Sequence, residues 1–200
     1  SQDSIHQVAA TRCLMEVAEA DPASVLDAVP ALEAAATAQR ASTRSYAVYA
    51  LSCIAAAYPE AVYPALDALI EALQREDETT QTNSLAAVGK IASNYPDAPE
   101  PIVDELVAVL DADAKRVRNN TVGLLADIAQ EHPAVVIEYA DAIAARLDDE
   151  NPQARVNASI ALQRAGKADP SAIRAQMEHL EVALRDSSPE VRANVCTLIG

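Results

Sequence analysis

The sequence contains no phenylalanine and no tryptophan, and among its 200 residues only six are tyrosine, four glycine, three cysteine and three lysine. So few aromatics exclude a core of the β-sandwich kind, where aromatic and β-branched residues alternate along strands. Of the glycines, Gly89, Gly123 and Gly166 fall inside helical patterns and not in loops that could cradle a phosphate. Cys13, Cys53 and Cys196 are odd in number, far apart and never in a CxxC pair, so neither a disulfide framework nor a zinc site is indicated. His6, His132 and His179 share no common register, and no nucleophile has a base at a workable spacing; the expectation is no catalytic residue, no metal and no cofactor. No apolar run reaches the roughly 18 residues of a membrane span, and the opening "SQDSIHQ" lacks a basic region followed by an apolar one. A cytoplasmic protein without membrane association is expected.

What is present is helical. Half of the chain is hydrophobic, mostly Ala, Leu, Val and Ile, which suits close helix packing. Thirty Asp and Glu against fifteen Lys and Arg leave a net charge of −15, and the basic residues divide into twelve Arg and three Lys. That balance fits a halophile that keeps high salt in its cytoplasm, where screening removes the self-repulsion of a strongly acidic surface.

Pro22, Pro59, Pro96, Pro133 and Pro170 each follow the previous one by 37 residues. Ten positions after each stands Leu32, Leu69, Leu106, Ile143 or Leu180, and fourteen after, Ala36, Leu73, Leu110, Leu147 or Leu184. With Val29, Leu66, Val103, Ala140 and Met177 at seven after, these offsets of three and four define one apolar helical face. A second helix runs up to the next proline, carrying Leu14, Leu51, Val88, Leu125 and Leu162, then Val17, Ile54, Ile91 and Ile128. A small column of Ala18, Ala55, Ala92, Ala129 and Gly166 lets backbones approach beside them. The period predicts an all-α, right-handed α-solenoid of about five helical hairpins forming a single domain. Its expected parts are a half repeat at 4–20, full repeats at 22–57, 59–94, 96–131 and 133–168, and a terminal repeat at 170–200. Asp21, Asn151, Asp169 and Ser188 are expected to cap helices that begin with proline, and Pro64 and Pro101 to delay or bend two first helices.

The turns repeat as well. "LRDSSPEVRANV" supplies Asp186, Val191 and Arg192; "LDDENPQARVNA" supplies Asp149 and Arg155; "LDADAKRVRNNT" supplies Val117 and Arg118. With an Asp in the turn and a Val-Arg pair entering the second helix, the chain resembles the HEAT repeat family over nearly its whole length. Arg44 lacks an aligned Asp, and Gln81 replaces the Arg in its repeat. The six-residue spacing lets a carboxylate reach a guanidinium and free amides at its own or the next turn, so Asp149, Arg155, Asp186, Arg192 and Arg118 are expected to form a structural ladder. The iron-binding HEAT hydroxylases use repeated His-Glu steps, which this sequence does not contain.

In such stacks the second helices line the concave side. The columns opposite their apolar stripe hold Arg12, Glu16 and Glu19; Tyr49, Cys53 and Ala56; Ala86, Lys90 and Ser93; Gly123, Asp127 and Gln130; and Ile160, Arg164 and Lys167. Beside them runs a polar column of Tyr46, Asn83, Asn120, Asn157 and Asn194, which serves either as a hydrogen-bonded ladder between repeats or as a set of donors and acceptors for a peptide. Tyr46, Tyr49, Cys53 and Lys90 form the leading candidate patch, with Asn83, Asn120, Asp127, Asn157, Arg164 and Lys167 as further protein-binding candidates. Asp67, Asp104, Asp141 and Glu178 on the first helices read as a solvated acidic face. The expected function is a protein-interaction scaffold that binds a peptide or helical segment along the concave face. The alternatives carried by the resemblance are a HEAT-like lyase and a nucleic-acid-binding HEAT protein, and the mixed charge of the strip argues against nucleic acid as partner. The chain ends at "CTLIG", short of positions that earlier repeats fill, so self-association or a longer array is expected to cover that end.

Overall fold

The computed structural model describes residues 2–75, 77–95 and 99–200, the side chains of 2–4 and 99–101 excepted. Among the described residues there are helices and turns and no strand. The chain divides into two compact units, residues 1–98 and 99–200. In the first, α1 (Gln2–Ala20) is followed by a 3-10 stretch (Pro22–Ala28) that leads into α2 (Val29–Ala36); α3 (Ala41–Ala57), α4 (Pro59–Val62), a 3-10 turn (Tyr63–Ala65), α5 (Leu66–Leu73) and α6 (Glu78–Asn94) complete it. Here α3 packs between α1 and α6, while α2 and α5 lie against α3 and α6 as a second layer. The second unit holds α7 (Pro99–Ala108), α8 (Lys115–Glu131), α9 (Pro133–Ile137), α10 (Ala140–Ala145), a 3-10 turn (Arg146–Asp148), α11 (Pro152–Ala165), α12 (Pro170–Arg174), α13 (Met177–Ala183) and α14 (Pro189–Ile199). In it α11 packs between α8 and α14, with α9 and α10 against α11 and α13 against α14.

The apolar columns are the core of each unit. Leu32, Leu69, Leu106, Ile143 and Leu180 are all completely buried, as are Leu51, Val88, Leu125 and Leu162 on the second helices. Burying each such side chain stabilises by about 2 kcal/mol relative to exposure. The column is less buried towards its ends. Val17 is 42% exposed although Ile54 and Ile91 in its register are fully buried. Met177 and Leu184 in the last hairpin are half-buried.

Among the described first helices all but α7 are broken at one register, and proline is not the common cause. Pro64 does interrupt its helix, inside the turn Tyr63–Ala65. Yet breaks fall at the corresponding places at Glu138 to Tyr139 and Ala175 to Gln176, where no proline stands, and around Ala28, where Pro30 follows inside the first turn of α2. At the first two the amides turn back by three residues, Tyr139 N–H donating to Val136 (3.1 Å) and Gln176 N–H to Ile173 (2.9 Å). Pro64 is tolerated because the repeat already has a break there. Pro101 lies within α7 (Pro99–Ala108), and the start of that helix, where a delay was expected, falls outside the described residues. Caps divide similarly. Asp169 accepts from Ser171 N–H, Asn151 from Gln153 N–H and Ser188 from Val191 N–H. Asp21 does not cap, because its carboxylate instead accepts a short bond from the Ser24 hydroxyl.

Candidate functional site

The second helices α3, α6, α8, α11 and α14 each begin with a long polar side chain that turns back over its own hairpin loop. Arg44 donates to the carbonyls of Ala38 (2.9 Å) and Gln39 (3.0 Å), Arg118 to those of Ala112 (2.8 Å) and Asp113 (2.9 Å), and Arg192 to those of Asp186 (2.7 Å) and Ser187 (3.2 Å). Arg155 does the same to Asp149 O at 3.0 Å. These are carbonyls a helix end leaves without a partner. Gln81 stands in for the arginine and still donates to Leu73 O at 3.0 Å, so an uncharged amide performs the closing bond.

In the second unit the same guanidinium also reaches forward to the next turn. Arg118 Nε donates to Asp149 Oδ2 at 2.6 Å and Arg155 Nε to Asp186 Oδ2 at 2.6 Å, each with a second bond from Nη2 to Oδ1. Burial by itself pushes the Asp149 and Asp186 carboxyls up. The bonds from Arg118 to Asp149 and from Arg155 to Asp186, with the N–H groups of Asn151 and Ser188, outweigh burial and hold both below the ordinary carboxylate range. Arg146 adds a third strut, donating to Leu110 O and pairing with Asp111 at 2.9 Å. The hollow of about 510 Å³ between these turns is lined by groups already committed to one another, among them Asp111, Arg118, Arg146, Asp149 and Glu150.

The first unit has a looser rung. Its aligned position is Arg75, so Arg44 meets Asp77, two residues further on, at 3.6 Å, and neither Arg44 Nε nor Asp77 Oδ2 has a hydrogen-bond partner. Asp77 is occupied as the cap of α6, accepting from Thr80 N–H at 2.8 Å. Replacing Arg75 by Asp places a carboxylate in register with Arg44, and thermal unfolding is expected to show a gain of about 1 kcal/mol.

The outer face of the second helices differs between the units. In the first, Tyr49 and Cys53 on α3 are half-buried, Lys90 on α6 is exposed, and Glu16 and Glu19 on α1 are exposed. Tyr49 donates its hydroxyl to Glu19 Oε1 at 3.1 Å, which raises the phenol above its ordinary value, and Arg12 is paired with Glu16 at 2.9 Å. Burial pushes the Cys53 thiol up, which favours its neutral form. Tyr46 and Asn83 are half-buried in one column. No hydrogen bond from either side chain occurs within the described structure.

In the second unit the polar column is spent internally. Asn157 Nδ2 donates to Asn119 O (3.3 Å) and Oδ1 (3.2 Å), Asn119 donates to Asn120, and Asn194 donates to Ser159 Oγ at 2.9 Å. Arg164 reaches across to Ala126 O at 2.6 Å and to Asp127 at 3.3 Å, leaving Lys167 exposed at the helix end. Asn119 and Glu19, which the column analysis did not single out as candidates, prove to be the partners of Asn157 and Tyr49. The signal for both was spacing: Asn119 precedes Asn157 by 38 residues and Glu19 precedes Tyr49 by 30.

On the first helices Asp67, Asp104, Asp141 and Glu178 are all exposed, and Asp104 accepts from the Tyr139 hydroxyl. His132 caps the end of α8, its N–H donating to Ile128 O at 2.8 Å, as Tyr58 and Tyr95 do for Ile54 and Ile91. Among the described residues no three His, Cys, Asp or Glu side chains are grouped to hold a metal, and no helix is long and apolar enough to cross a membrane.

No protein-family model and no curated protein sequence matches the chain. Solved structures do. An engineered protein from the Northeast Structural Genomics Consortium is similar over all of this chain and 91% of its own, with a TM-score of 0.78 and 25% identity. A second engineered protein from the same consortium matches over all of this chain, which spans 55% of that one, at a TM-score of 0.79 and 24% identity. A designed armadillo repeat protein, in complex with the peptide (KR)4, is similar over 96% of this chain and 90% of its own, at a TM-score of 0.76 and 20% identity. The fold is therefore an all-α helical-repeat fold of the solenoid class.

Proposed function

We propose that this chain is a non-enzymatic scaffold that binds an extended peptide, or a helical segment, across the outer face of its second helices. The observation that carries the reading is the contrast between the two units. The polar column of the second unit is bonded to neighbouring Asn119 and Ser159, whereas Tyr46 and Asn83 in the first keep unspent donors and acceptors beside Tyr49, Cys53 and Lys90. Half-buried groups of that kind are the ones a partner can satisfy. The peptide complex of the designed armadillo protein supports the same use of a similar fold. Asn120, Asp127, Asn157, Arg164 and Lys167 belong in this reading to the frame that holds the face.

A random peptide library displayed on phage tests the proposal. The wild-type chain is expected to enrich a family of sequences, and a folded Tyr46→Ala, Tyr49→Ala, Lys90→Ala variant to enrich them at least tenfold less. Equal enrichment by both chains sinks the assignment of this face.

The HEAT character of the repeats and adaptation to a salt-rich cytoplasm form part of the same proposal. The Arg-to-Asp turns support the first, and the charge of −15 with three lysines the second. Because screening relieves self-repulsion, the melting temperature is expected to rise by several degrees between about 0.1 and 2 M KCl, with most of the gain at the low end. A melting temperature that falls with KCl contradicts the adaptation.

A further inference from the structure

The face in the first unit is electrically lopsided. On α1, Glu16 is neutralised by Arg12, which leaves Glu19 as the excess charge. Its carboxylate holds the Tyr49 hydroxyl, so an anionic oxygen and a phenol ring stand together at one edge. On the far side of α3, Lys90 is exposed on α6 and makes no ion pair with a described residue. Between them the strip of α3 is uncharged, with Tyr49, Ser52, Cys53 and Ala56, since its one charged residue, Arg44, is buried against the hairpin loop. The strip runs from a negative edge, over a neutral middle, to a positive edge, and α3 packs against both neighbours to keep that order.

Resting on the peptide-binding reading above, we propose that the partner is an extended segment carrying a basic residue and an acidic residue at a fixed separation. The basic side chain sits against Glu19 and the ring of Tyr49, where a carboxylate and an aromatic face both favour a cation. The acidic side chain meets Lys90. Neighbouring helices lie about 8 to 10 Å apart, so the two seats are separated by roughly 16 to 20 Å. At about 3.3 Å per residue an extended chain covers that distance in five or six residues. The uncharged middle of the segment lies over α3, where Tyr46, with Asn83 on the neighbouring α6, can bond its backbone. This polarity distinguishes the site from the acidic first-helix surface, which would attract any polycation without register.

The same phage selection tests it when its sequences are read for charge. Wild type is expected to enrich peptides with Lys or Arg and Asp or Glu five or six positions apart. Glu19→Lys should exchange the basic position for an acidic one, and Lys90→Glu should exchange the acidic position for a basic one, each by at least tenfold in frequency. Enrichment of general polybasic peptides, or of sequences indifferent to both substitutions, overturns the inference while leaving a peptide-binding face if the triple variant still loses them. If no peptide is enriched by any of the three chains, both the inference and the reading beneath it fail.

Discussion

Replacing Asp149 by Asn is expected to cost about 3 kcal/mol at pH 7, the usual consequence of removing one partner from a buried charge pair. The side chain is 2% exposed, and its loss leaves the Arg118 guanidinium buried without its bidentate partner. The effect depends on pH with a definite sign. The Asp149 carboxyl is held below its ordinary value in the folded chain, so its stabilisation is present above the unfolded value of about 4 and is lost as pH falls toward the folded one. Urea unfolding of wild type and Asp149→Asn should therefore differ most near neutrality and converge below about pH 4. A gap that persists unchanged at pH 3 would mean that shape, not charge, was lost. Arg118→Met should be at least as costly, since it also strips the carbonyls of Ala112 and Asp113 of a donor.

The second large effect is expected at Gly166. Its backbone is ordinary right-handed helix (φ −62°), so the glycine is not needed for conformation. It is needed for room: a Cβ there would lie 2.7 Å from Ile173 Cγ1 and 3.0 Å from the Leu162 carbonyl oxygen. Ile173 is 3% exposed and cannot swing into solvent. Gly166→Val is expected to destabilise by about 3 kcal/mol through overpacking, a fall in melting temperature of roughly 10 °C for a chain of this size. If the clash is the cause, Gly166→Val and Ile173→Ala together should cost less than the sum of the two alone; strict additivity refutes the close contact.

The repeat was legible because burial in a helical stack is periodic. Leu32, Leu69, Leu106, Ile143 and Leu180 were chosen by register alone, and all five are fully buried. Helix interruption was less legible. Proline is a visible breaker, so Pro64 drew attention, but the breaks at Glu138 to Tyr139 and Ala175 to Gln176 have no residue that announces them. They belong to the hairpin's packing and not to local propensity. At the candidate face the residue types were readable and their commitments were not. One asparagine column looks uniform in sequence, yet Asn157 and Asn194 spend their amides on the preceding repeat while Asn83 does not. That difference depends on whether Asn119 and Ser159 stand within reach across two helices, a relation between elements that the one-dimensional pattern of either helix does not contain. Arg44 shows the same limit, for its partner Asp77 is out of register by two positions and was invisible to alignment.

The forward bonds of the arginines make chain length adjustable. Each couples positions 31 residues apart, Arg118 to Asp149 and Arg155 to Asp186, inside a period of 37. Excision of residues 119–155 would bring Arg118 into the place of Arg155, again 31 residues ahead of the carboxylate now at Asp186. The clasp closes on the new neighbour as it did on the old one. A gene encoding such turns can therefore shed or duplicate one period without a compensating mutation at the seam, and growth or shortening of the array is left to recombination instead of point-by-point redesign.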